Sequence, residues 1–216
     1  MAAQEIVENI PDSRASLRNE PVQARSAARL TALLDAAAAI IDEIGYERLT
    51  TAMVAERAGA SIGTVYRYFP DRIAVLQALS ARNLERVLDK ATSAIHDERQ
   101  TTWVAALGAS FGVLVDAFRS EPGFRGLRVG DVLDIRPATH DRTFNSIVAD
   151  GLLGALIERF GFKDSSELRF HFETAVEISD ALATRAFARD PQGDAAFLET
   201  SRDVVAQLLT PHFGRP

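Results

Sequence analysis

The chain has 216 residues and no cysteine. Composition alone therefore excludes a disulfide, a thiolate zinc site, an Fe–S cluster and a thiol redox switch. A long apolar run is missing too. The longest, Ala36 to Ile41, is bracketed by Asp35 and Asp42 and falls far short of the roughly 18 residues a bilayer span needs. Glu5, Glu8 and Asp12 stand where a secretory leader would carry positive charge and then an apolar stretch. No export signal is read, so the expected compartment is the cytoplasm, with no membrane partner. There is no Gly-rich phosphate loop and no Gly-x-Ser-x-Gly elbow. His96, His140, His171 and His212 are far apart and lack the paired helical spacing of a metal site, so each reads as a surface or internally satisfied histidine. Acidic pairs such as Glu173 and Glu177 have no accompanying nucleophile or base and read as a solvated face. The expectation is a protein that is not an enzyme and holds no metal or cofactor.

What is present is an ordinary globular composition, 47% hydrophobic and 25% charged. The net charge of −6 speaks at first against nucleic acid, whose phosphates repel an acidic body. Its distribution says otherwise. From Pro21 to Arg72, the basic Arg25, Arg29, Arg48, Arg57, Arg67 and Arg72 balance Asp35, Asp42, Glu43, Glu47, Glu56 and Asp71. The surplus acid lies elsewhere, which suits a protein that would touch DNA with one small face.

Residues 1–20, with Pro11, Asp12, Ser13, Ser16 and Asn19 among scattered apolar side chains, read as a flexible arm. From Val22 the pattern changes. Leu30, Leu33, Leu34, Ala37, Ala38, Ile41 and Ile44 recur at three- and four-residue steps on one helical face, which Gly45 ends. Thr50 caps a short helix to about Ala58, and Ser61 caps another from Ile62 to Phe69. Only Ala58, Gly59 and Ala60 separate them, so the two must cross steeply as a helix-turn-helix. Pro70 stops the second, and Asp71 caps a long helix to about Ile95. Further helical stripes follow: Trp103 to Phe118, Phe144 to Phe160, Ser166 to Ala188 and Asp194 to Leu209, the last ending before Pro211. The fold class is all-α, with about nine helices. A three-helix head (21–70) precedes a helical-bundle domain (71–216).

The segment Thr50-Thr51-Ala52-Met53-Val54-Ala55-Glu56-Arg57-Ala58-Gly59-Ala60-Ser61-Ile62-Gly63-Thr64-Val65-Tyr66-Arg67-Tyr68-Phe69-Pro70-Asp71-Arg72 carries the chemistry. Ser61 leaves free amides at a helix start, natural partners for a phosphate oxygen. Gly63 costs helix stability, tolerable if a backbone must approach DNA closely. Thr64 can meet a phosphate or a thymine methyl, and Arg67 can pair with guanine. Tyr66 and Tyr68 can hold phosphates, as can Thr50 and Arg72 at the neighbouring helix starts. Val54, Ala55, Ala58, Val65 and Phe69 read as core. Arg25, Arg29 and Arg48 read as solvated charges before they read as flanking phosphate contacts.

This segment resembles the DNA-binding signature of the TetR family: a threonine-capped helix, an Ala-Gly turn, Ser-x-Gly-Thr-x-Tyr-x-x-Phe and a capped, basic start to the fourth helix. It departs from the commonest pattern at Ile62, often basic in relatives, and at Tyr68, often histidine. The resemblance implies a homodimeric repressor that binds palindromic operator DNA and is released by a small-molecule effector. It implies that the helices after the head enclose a cavity for a mainly apolar ligand. Candidates to line it are Trp103, Leu107, Phe111, Phe118 and Phe124, then Phe144 and Val148. Arg128, Asp131, Asp134, Arg136, His140 and Asn145 are candidates for its polar contacts. The last two helices would pair in a four-helix dimer interface through Phe172, Val176, Phe187, Phe197, Val204 and Leu208. Two alternatives differ in class: a regulator without an effector, marked by the absence of any stabilising ligand, and an all-helical enzyme or carrier with a vestigial head, which a turnover assay would detect.

Overall fold

Apolar residues spaced at three and four give the first helix one face to bury, and that face organises the head. The computed structural model describes residues 13–129 and 143–214. Its first helix, α1 (Ser13–Ile44), ends at Gly45, whose φ of 84° suits glycine. A 3-10 turn at Tyr46–Arg48 leads to α2 (Thr51–Arg57), α3 (Ile62–Tyr68) and α4 (Arg72–His96). There follow α5 (Trp103–Ser120), α6 (Phe124–Val129), α7 (Phe144–Phe160), α8 (Ser166–Phe187) and α9 (Ala195–Phe213). No strand occurs among the described residues, and the fold is all-α. Most helix starts are written in the sequence. The side chains of Thr50, Ser61, Asp71, Thr102, Thr143, Ser165 and Asp194 each accept a hydrogen bond from an amide of the first turn, which satisfies a donor the helix cannot.

Three expectations need correction. Helix α1 begins at Ser13, so residues 13–20 are helical and not part of an arm; residues 1–12 lie outside the described residues. Ala15, Leu17, Arg18 and Glu20 are good helix formers, a propensity that apolar periodicity does not register. Helix α9 runs through Pro211 to Phe213. A proline in the last turn removes a single amide bond, while Phe213 is buried and Trp103 Nε1–H donates to the Gly214 carbonyl at 3.1 Å. Finally, α5 is long and apolar enough by composition to cross a membrane, which a search for uninterrupted runs overlooked because Asp116 and Arg119 break it. In the fold it packs on α4 and lines an internal cavity.

The buried side chains fall into three clusters. One fills the head with Leu33, Ala37, Val54, Val65, Val75, Leu76 and Leu79, joined by Leu127 of α6. A second joins α4, α5, α7, α8 and α9 through Ile95, Trp103, Leu156, Phe172, Leu209 and Phe213. Between them, Phe118 stacks on Phe187 at 4.7 Å and meets Phe124 edge-on at 5.1 Å. Helix α4 supplies residues to all three: Leu76 and Leu79, then Val87, then Ala91 and Ile95. Polar ties reinforce the joint between head and body. Arg82 of α4 reaches Asp35 of α1 at 2.6 Å, and the Gly123 amide donates to Asp42 at 3.0 Å.

Candidate functional site

The helix-turn-helix is built from two caps and a glycine. Thr50 Oγ1 accepts from Met53 N at 3.2 Å, and Ser61 Oγ accepts from Thr64 N at 3.1 Å while sharing a 2.9 Å hydrogen bond with the Thr64 hydroxyl. Gly59 turns the chain between them at φ 58°. Val54, Ala55, Val65 and Phe69 are buried beneath, so one side of α3 is pinned and the other faces outward. That outer side carries Ser61, Ile62, Gly63, Tyr66 and Arg67, all exposed, with Tyr66 at 53% and Ile62 at 44%. Tyr66 is tied to the head only at its tip, where its hydroxyl accepts from Thr51 Oγ1 of α2 at 3.4 Å, and Ile62 stands out beside it on the same seven-residue helix. Gly63 is not required by packing. A Cβ there would meet nothing nearer than Ser61 Oγ at 3.9 Å, so the small residue leaves space on the outside.

The remaining head candidates are partly engaged inside the fold. The Tyr68 hydroxyl shares a 3.0 Å hydrogen bond with Ser26 of α1, and Arg67 lies 5.1 Å from its ring centre. The Ser26 hydroxyl, helped by Arg67, holds the phenol below its usual range. Arg72 donates to the Glu47 carbonyl at 2.8 Å and the Tyr46 carbonyl at 3.4 Å, tying the start of α4 to the turn before α2. Arg57 makes a two-pronged pair with Glu43, at 2.8 and 2.5 Å, which lowers the carboxyl pKa and braces α2 on α1.

The body holds a cavity of about 170 Å³ between α4, α5, α6, α7, α8 and α9. Of the expected lining residues, Trp103, Leu107, Phe111, Arg128, Phe144, Asn145 and Val148 border it. Phe118 and Phe124 do not: they belong to the cluster around Phe187. Phe118 lies two turns beyond Phe111, about 10 Å along the same helix, and so reaches the next layer. Asp131, Asp134, Arg136 and His140 lie outside the described residues. One end of the cavity is polar. Arg128 pairs with Asp180, and Asn145 donates to Glu177 at 2.7 Å and Asp180 at 3.2 Å. Arg128 also lies 4.2 Å from the Phe144 ring centre. Ser201, fully buried on the wall, has a hydroxyl with no hydrogen-bond partner among the described residues.

Several residues expected in a dimer interface face inward. Phe172 is buried and lines the cavity with Val176, and Phe187 is buried against Phe118. Leu208 packs on the second core cluster, Phe197 is half-buried beneath Arg185, and Val204 is exposed. Phe170 of α8, not singled out from the sequence, is 66% exposed. Periodicity finds the apolar faces of α8 but cannot say which face meets the body. The cavity contributions of Ser179, Asp180, Ser201 and Arg202 were missed as well, because polar residues on helices read as solvated until the fold shows what they face. Two of the histidines, far apart in sequence, come together in the fold: His171 of α8 and His212 of α9, both half-buried, stack at 4.3 Å.

Comparison with known proteins fits this layout. Residues 33–79 match the model of the tetR family of bacterial regulatory proteins, and residues 101–213 match the tetracyclin repressor-like C-terminal domain. A crystal structure of a TetR-family transcriptional regulator from Streptomyces coelicolor is 33% identical, with a TM-score of 0.71, over 85% of this chain and 99% of that one. The transcriptional repressor KstR of Rhodococcus jostii is 44% identical over 55 residues, a match that spans 26% of each protein. The nucleoid occlusion factor SlmA of Haemophilus influenzae is 31% identical over 91 residues, 42% of this chain and 41% of that protein.

Proposed function

Because this chain belongs to the TetR family of transcriptional regulators, we propose that it acts as a dimeric repressor whose α3 reads operator DNA and which a mainly apolar small molecule releases. The outward face of α3 carries this reading. Tyr66, Arg67 and Thr64 would reach bases and phosphates, Gly63 would let the backbone come close, and the Ser61 and Thr50 helix starts would meet phosphates. Ile62, exposed beside them, suits a thymine methyl. Tyr68 would act chiefly by fixing the end of α3 against α1, and Arg72 by fixing the start of α4, with its remaining guanidinium donors turned to phosphate. Two copies related by a two-fold axis would set their α3 helices in successive major grooves, roughly 34–36 Å apart. Phe170 and Val204, apolar and exposed on α8 and α9, would contribute to that pairing with Phe197 and Leu208.

The effector reading rests on cavity size and on α4. A space of about 170 Å³ is close to the roughly 150 Å³ of an apolar cavity that takes up benzene, and a bulkier effector would press on its walls. One wall is α4, which also supplies Leu76 and Leu79 to the head core. Displacing it would change the spacing of the two heads, and a coupling of about 1–3 kcal/mol changes operator affinity about 5- to 150-fold. The direct test is anisotropy titration of labelled DNA from upstream of the protein's own gene, at fixed salt, with wild type and Tyr66→Ala. Selective, saturable binding by wild type that weakens at least about tenfold in Tyr66→Ala is expected. Equal binding by both proteins would overturn the assignment of α3.

A further inference from the structure

The body holds a group of side chains that neither the head nor the cavity uses. Glu167 and His171 lie four residues apart on α8, hence on one face, and His212 of α9 stacks over His171 at 4.3 Å. Ligand atoms of all three lie within 4.8 Å of one another. We propose that Glu167, His171 and His212 form a divalent-metal site of the zinc type that joins α8 to α9.

The donor chemistry supports zinc. Two imidazoles and one carboxylate are a zinc donor set, with bonds of about 2.0–2.2 Å. Magnesium and calcium prefer oxygen donors throughout. Three protein ligands leave the fourth tetrahedral position to water or an added ligand.

The frame beneath the site is rigid, which limits the ordering that binding requires. Each histidine is next in sequence to a buried phenylalanine, and the two phenylalanines meet: the rings of Phe172 and Phe213 are 6.3 Å apart. Phe213 is held in turn by Phe162 at 4.3 Å and Trp103 at 5.1 Å. The backbone at both histidines is thus anchored from below, while Glu167 is exposed and His171 and His212 are half-buried. Convergence on an ion needs only side-chain rotation, which carries the imidazoles from face-to-face stacking to edge-on approach. The site would clamp the start of α8 to the last turn of α9, the turn that contains Pro211.

The proposal is independent of the DNA-binding reading, and its test does not use DNA. Untagged full-length protein, stripped with chelator, is titrated with Zn²⁺ by calorimetry, with Mg²⁺ as a second titrant. One Zn²⁺ per chain and no Mg²⁺ uptake are expected. His171→Ala and His212→Ala should each weaken Zn²⁺ binding by more than the roughly tenfold that loss of an outer-shell partner costs, Glu167→Gln should weaken it, and His96→Ala should leave it unchanged. No saturable Zn²⁺ uptake, or uptake unchanged in the histidine variants, overturns the site. Should an alanine variant lose helicity, wild-type protein decides alone: Zn²⁺ must shift the imidazole nitrogen resonances of His171 and His212 and leave that of His96 in place. Absence of that shift overturns the proposal.

Discussion

Ser201 is fully buried on the cavity wall with a hydroxyl that meets no partner among the described residues. A buried, unsatisfied polar group costs about 1–3 kcal/mol, a cost that a ligand bonded to the hydroxyl would offset. Ser201→Ala is therefore expected to raise the stability of the ligand-free protein by about 1 kcal/mol, measured by urea unfolding, and to leave DNA affinity unchanged. A loss of stability would show that the hydroxyl is satisfied. Glu43 gives a pH-linked prediction. Its pairing with Arg57 puts its folded pKa below the usual 4.5, so its contribution to stability is present above that value and is lost as pH falls through the lowered one. The Tm difference between wild type and Glu43→Gln should be constant from pH 7 to about 5 and close at lower pH. A difference independent of pH would rule out the ion pair as its source.

Among the helices, α2, α3 and the start of α4 were legible to within a residue or two, because Thr50, Ala58-Gly59-Ala60, Ser61, Pro70 and Asp71 punctuate them, whereas the start of α1 was not. The long helices of the body were legible as helices through their apolar stripes. What the stripes face was not legible. Phe172 and Phe187 look like interface residues and are core, while Phe170, which no stripe singles out, is exposed. Helical spacing repeats on every side of an apolar helix and contains no record of its neighbours. The histidine pair was hidden for the same reason, since His171 and His212 come together only through α8 packing on α9. Helix α6 shows most plainly what only the fold reveals. It sits between the head and the cavity, with Leu127 in the head core and Arg128 at the polar end of the cavity. A Cβ on Gly126 would stand 2.7 Å from Ile41 Cγ2 of α1, and Ile41 is buried and cannot yield freely. Gly126→Ala should therefore part α6 from α1 and destabilise the protein by about 1–3 kcal/mol, read from the urea midpoint. Unchanged stability would mean that α6 slides without resistance and cannot transmit strain to the head.

At the scale of the molecule, the question is how a ligand inside the body could change the distance between two heads. Helix α4 runs from the head core to the far end of the body and borders the cavity on the way, and α6 touches both regions. Neither needs to move for a ligand that fits the existing space. Under the proposed mechanism, release would require a ligand that does not fit, because only then would it favour one arrangement of the walls over the other. Ala206, on the cavity wall in α9 and away from α4 and α6, allows these cases to be separated. Ala206→Leu puts three more carbons into the cavity from a helix that is not part of the route to the head. Operator affinity should stay within about threefold of wild type, equivalent to less than about 1 kcal/mol. A ligand that stabilises and releases wild type should no longer raise the Tm of the variant at the same concentration, and the variant should remain on DNA. If Ala206→Leu itself abolishes DNA binding while the protein stays folded, filling the cavity is enough to move the heads, and the expansion mechanism gives way to one in which occupancy alone is the signal.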